Sequence, residues 1–110
     1  MSPWWTTKFI IHLAAEMADV WVTVQRVSGS CPVHSEGDRF VLREGFALDS
    51  LGGSVCLHAL LGMAALLWAL GHGHSPEELS LGNPPLLACP DPGPPLSCGG
   101  RVLFRLEVRE

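Results

Sequence analysis

Hydrophobic and polar residues alternate cleanly near both ends of the chain. Over Val20–Val27, Val20, Val22 and Val24 fall on one side and Trp21, Thr23 and Gln25 on the other, the period of a half-buried strand. Ser28-Gly29-Ser30 breaks it. Arg101–Val108 repeats the pattern, with Val102, Phe104, Leu106 and Val108 opposed to Leu103, Arg105 and Glu107. A shorter run, Arg39–Arg43, places Phe40 and Leu42 inward. Between these strands, Val55–Leu70 is apolar in every direction except at His58, and Gly71 and Gly73 end it. That length and pattern predict a helix covered on more than one side, capped by Ser54, with His58 as a core histidine. Its small residues Gly62, Ala65 and Ala69 permit close approach by a sheet or by a second copy.

The remaining segments read as connections. Gly45–Gly53 is a connector, and Ser75-Pro76-Glu77-Glu78 carries the capping box of one short helical turn. Leu81–Gly100 is a long loop containing Pro84-Pro85, Pro90, Pro92 and Pro94-Pro95. The fold class that follows is α+β: a small antiparallel sheet, with strands near 20–27, 39–43 and 101–108, packed on one dominant helix over 55–70. Residues 19–110 form one small domain. Residues 1–18 form an N-terminal arm, flexible or docking on a partner through Trp4, Trp5 and Phe9-Ile10-Ile11.

Composition narrows the function classes. A chain of 110 residues that is 47% hydrophobic and 16% charged can build one core and leaves little room for a second. A net charge of −4, with Lys8 as the sole lysine, gives no nucleic-acid footprint. The apolar run Val55–Leu70 falls short of the roughly 20 residues that span a bilayer, and Met1–Glu16 makes a poor secretory signal. A reducing cytoplasm is therefore expected, where four cysteines serve metal or redox chemistry rather than a disulfide framework.

The candidate chemistry rests on those cysteines. Cys31-Pro32-Val33-His34 can turn a thiol and an imidazole toward one ion, as zinc and iron–sulfur sites require. Cys56 falls at the start of the predicted helix, where free N–H groups favour a thiolate. Cys89 sits in a proline-bracketed turn, Ala88-Cys89-Pro90-Asp91-Pro92, that fixes its direction. Each residue also has a bland reading, as a small core hydrophobe, an incidental loop thiol or an exposed histidine. Three cysteines at element boundaries, two of them before proline, favour placement over scatter. The expected metal ligands are Cys31, His34, Cys56 and Cys89, with Cys98 as a substitute and Asp91 as a supporting partner. His72 and His74 are explained by a solvated helix end, and Asp38 by a turn hydrogen bond.

The order Cys31-Pro32, His34 to Gly37-Asp38 and Phe40, a helix-opening Cys56 and a late Cys89-Pro90-Asp91-Pro92 resembles a family of small uncharacterised prokaryotic proteins. Their pattern is C-P-x-G-H-x-x-G-D-x-F, then a helix-opening cysteine and a late C-P-D. The resemblance runs from Val20 to the C-terminus; its motifs are specific together and not singly. Two departures stand out. The glycine before the histidine is absent, bringing Cys31 and His34 one residue closer, and the loop after Cys89 is longer and carries Cys98. The first weighs against His34 as a ligand. The resemblance implies a shared cysteine site and supplies no reaction.

The leading expectation is thus a metal- or iron–sulfur-binding domain with a Cys3His-type site, structural if it holds zinc and electron-transferring if it holds an iron–sulfur cluster. The alternatives are a non-catalytic interaction subunit, as a homodimer or in a larger assembly, and a thiol redox protein using Cys56. No phosphate-cradling glycine loop, paired carboxylates or G-x-S-x-G motif supports a hydrolase or transferase, so a non-enzyme is favoured.

Overall fold

Alternating valines set the middle of the sheet. In the computed structural model, described for residues 17–91 and 100–110, strand β1 (Asp19–Ser28) buries Val20, Val22 and Val24 almost completely. It pairs antiparallel on one side with β2 (Arg39–Arg43) and on the other with β5 (Arg101–Arg109). Two three-residue strands complete the edges, β3 (Ala47–Asp49) on β2 and β4 (Leu86–Ala88) on β5. The order is β3-β2-β1-β5-β4. One helix, α1 (Leu57–Gly71), lies on one face, giving the expected α+β fold with five strands instead of three.

The core lies between α1 and that face. Ala59, Met63, Leu67 and Leu70 of the helix meet Val20, Val22, Val24, Phe40, Leu42, Val102, Phe104 and Leu106. Full burial of each large side chain is worth about 1.5–3 kcal/mol before chain entropy is counted, so this two-layer contact holds the fold. On the opposite face, Val41 is fully buried beside its cross-strand partner Trp21. The guanidinium groups of Arg39, Arg109 and Arg43 stand 4.4, 4.7 and 5.7 Å from the Trp21 ring centroid, within reach of cation–π attraction.

Helix α1 runs antiparallel to β1. Its C-terminal end meets the beginning of that strand: Ala18 donates its N–H to the Gly71 carbonyl at 3.1 Å, and Met17 bridges to His72. The packed structure therefore includes Met17 and Ala18, the last two residues assigned to the arm; the rest of the arm lies outside the described residues. At the other end of the helix the Cys56 N–H meets His34 of the loop that follows β1, and further along Gly62 meets Pro90, which follows β4. That end of the domain carries Cys31, Cys56 and Cys89.

Several local expectations change. The helix cap is Cys56, in extended conformation and without a side-chain capping bond, instead of Ser54. The connector Gly45–Gly53 contains β3, and the start of the long loop contains β4. Ser75 and Glu78 form their capping box, with the Glu78 N–H donating to Ser75 Oγ at 3.2 Å, but the segment is a hydrogen-bonded turn and not a helix. His58 is exposed instead of buried, because it points away from the Ala59–Met63–Leu67–Leu70 stripe. Among the described residues no helix is long and apolar enough to cross a membrane.

Candidate thiol site

Beyond β1, Gly29 turns the chain with φ near +82°, and Ser30 leads into Cys31. This loop presses on Gly100, where a Cβ would come within 2.9 Å of the Ser28 carbonyl oxygen. Only glycine allows that approach, which holds the Cys31 loop against the root of β5.

Cys31-Pro32-Val33-His34 makes the expected turn. The His34 N–H donates to Cys31 Sγ at 3.3 Å. The His34 ring enters the core instead of solvent, and its residue is only 4% exposed. It lies edge-on to Phe104 at 5.4 Å and stacks at 6.3 Å from Phe40. Its Nε2 accepts the Cys56 N–H at 3.2 Å, so one buried imidazole joins the Cys31 loop to the helix start. An accepting Nε2 carries no proton, which leaves the proton of the neutral ring on Nδ1. Nδ1 is buried and has no hydrogen-bond partner among the described residues. Burial pushes the His34 pKa below the ordinary imidazole value, against an opposing pull from the Asp38 carboxylate.

Cys56 precedes the first helical turn, half-buried, and its side chain makes no capping hydrogen bond. Cys89 follows β4 directly, and its N–H donates to the Val102 carbonyl at 2.8 Å. The next residue, Pro90, lies flat on Gly62, where a Cβ would stand 3.1 Å from the proline ring. The first of the three small helix residues thus receives Pro90, fixing the Cys89 turn against α1. Cys31, Cys56 and Cys89 are all free, half-buried and packed on the same core cluster.

The fold therefore draws Cys31, His34, Cys56 and Cys89 to one end of the domain, and hydrogen bonds link the first three. It does not close them into a ligand set: among the described residues, no group of three or more His, Cys, Asp or Glu side chains is arranged to hold a metal ion. The His34 lone pair that would face a metal through Nε2 is engaged with Cys56. Asp91 lies at the end of the described segment, half-buried, and Cys98 lies outside the described residues. Asp38 makes its turn bond, accepting the Ser35 N–H at 2.9 Å.

Two features escaped the sequence reading. The aromatic clamp of Phe40 and Phe104 around His34 had no local signal, because strands far apart in the chain supply the two rings. A cavity of about 280 Å³ also opens beside His34, lined by Asp38, Arg39, Ser50 and Ser54 among others, and none of the three cysteines lines it. His72 closes the helix end with Nδ1 2.7 Å from the Trp68 carbonyl oxygen, but it is half-buried against the Trp68 and Phe46 rings instead of solvated.

No protein-family model, curated protein or solved structure matches this chain.

Proposed function

We propose that this is a metal- or iron–sulfur-binding domain of the cytoplasm, in which Cys31, Cys56 and Cys89 supply thiolates. One observation carries this reading: three free cysteines from three separate segments reach the same end of one small core, and a buried histidine ties two of those segments together. Soft thiolates select zinc or iron–sulfur centres over hard cations. The fourth ligand is either His34, by exchanging its bond to the Cys56 N–H, or Cys98. A closed set of four protein ligands makes a zinc site structural, whereas an iron–sulfur centre at a half-buried position would pass electrons to a partner.

Anaerobically purified protein, assayed for zinc, iron and acid-labile sulfide, tests this directly. About one zinc per chain, or iron with matching sulfide and visible absorption, is the expected result, lost in Cys56→Ser. Absence of all of these, with Cys31, Cys56 and Cys89 titrating freely toward a thiol reagent in the native state, sinks the proposal. Separate His34→Gln and Cys98→Ser variants identify the fourth ligand by which one loses metal.

A further inference from the structure

Helix α1 has two apolar faces, and the fold uses one. Ala59, Met63, Leu67 and Leu70 face the sheet. Leu57, Leu61, Ala64 and Trp68 face outward, with Leu57 67%, Leu61 68% and Trp68 51% exposed. Their spacing of four, three and four residues is the seam by which one helix packs along another at a shallow angle. No charged residue occurs anywhere in Leu57–Gly71. A surface helix ordinarily carries charge on its outer face.

The seam continues onto the sheet edge. Ala64 and Trp68 share a groove with Leu42, Leu48, Leu60 and Leu67, and its walls are almost wholly apolar. The Phe46 ring meets Trp68 edge-on at 5.2 Å, and His72 stacks on Trp68 at 4.0 Å. Phe46 and Leu48 are themselves largely exposed. At about 150–250 Å² for a large side chain, Phe46, Leu48, Leu57, Leu61 and Trp68 present on the order of 500 Å² of apolar surface. The exposed Ala64 and Ala65 and the partly exposed Leu60 add to this, against the roughly 800 Å² per partner of a stable interface.

We infer that this face is a homodimer interface in which α1 of one copy lies along α1 of a second, its seam seated beside the groove. The occupant is a second copy because the seam offers contact without a code. Charges at fixed positions select a foreign helix and exclude others, and here none is present on the helix. A 4-3-4 apolar ridge beside an apolar groove is instead complementary to itself under a two-fold axis. The interface is independent of the thiol site and stands whether or not metal binds.

Sedimentation equilibrium of the full chain, with reductant and with or without chelator, tests the assignment. The wild type is expected at twice the chain mass at micromolar concentration under both conditions. Leu61→Glu, at an exposed position that leaves the core untouched, is expected to weaken dimerisation about 100-fold or more by placing an unpaired carboxylate in the seam. Leu57→Arg should act the same way, and Arg105→Glu on the opposite sheet face should not. Far-ultraviolet circular dichroism confirms that each variant is folded. A wild type that stays monomeric at several hundred micromolar overturns the inference, including the case in which the chain's own first sixteen residues cover the seam. A dimer unmoved by both seam variants, or one that dissociates only with chelator, overturns it as well; the chelator result would still leave the metal proposal standing.

Discussion

His34 is the residue on which the thiol end of the domain turns. Its Nε2 satisfies the Cys56 N–H, and its ring fills space between Phe40 and Phe104. Replacing it with leucine keeps much of the apolar volume and orphans a half-buried backbone donor. That loss costs about 1–3 kcal/mol, and urea unfolding at pH 7.5 should show it. Glutamine, whose amide oxygen can take the place of Nε2, should recover part of the loss. Equal stability of the leucine variant and the wild type would count against the linking role. The same ring predicts a pH response in the metal-free protein. Its folded pKa lies below the ordinary value near 6.5, so between the two values the unfolded chain binds more protons. Its contribution is fully present above about pH 6.5 and is lost as pH falls from there through the folded pKa. His34→Gln should lack that component, leaving a flatter profile below neutrality.

At the scale of elements, the decisive contact is where the C-terminus of α1 meets the turn between β2 and β3. A Cβ on Gly71 would stand 2.8 Å from the Gly45 Cα, and one on Gly45 would stand 2.9 Å from the Gly71 carbonyl oxygen. Gly45 also holds φ near +75°. Two glycines are needed here because two backbones touch. Alanine is the better helix former by about 1 kcal/mol, yet Gly71→Ala should destabilise by about 1–3 kcal/mol, measured by chemical denaturation. Gly53→Ala, exposed and 3.7 Å from its nearest neighbour, should be close to neutral. A stabilised Gly71→Ala would show that the helix end is not seated as described.

This contact also marks how far sequence reaches. The sequence reads Gly71 as a helix stop, which it is, but its partner Gly45 lies across a non-local contact that no periodicity encodes. β1, β2, β5 and α1 were legible because each carries a period of two or an apolar run, interrupted in α1 only by His58. β3 and β4 were not, because three residues cannot show a period and Pro84, Pro85 and Pro90 crowd the second. At the thiol site, element boundaries revealed the cysteines. The burial of His34 was hidden, because Phe40 and Phe104 meet it only once β1, β2 and β5 have paired. The outward face of α1 was visible as an apolar helix without charge; only the sheet shows which half is covered.

For the molecule as a whole, the ligands proposed for the metal divide the chain at its joints. Cys31 follows β1, Cys56 precedes α1 and Cys89 follows β4. A metal bound to all three ties the central strand, the helix and one sheet edge together at the end where loops dominate. Since an unfolded chain cannot present that set, binding energy becomes folding energy. At free metal 100 times the dissociation constant the gain is about 2.7 kcal/mol, and for a domain of this size each 1 kcal/mol moves the melting temperature by about 4–8 °C. Chelation under reducing conditions should therefore lower the melting temperature by about 10–20 °C in calorimetry, and restoring the metal should reverse it. In Cys56→Ser the chelator should have almost no effect, because the staple is already broken. Identical melting of wild type with and without metal would mean that the thiols gather at this end for packing alone. The opposite end, where Ala18 and Gly45 close on Gly71, would then carry the stability of the helix without help.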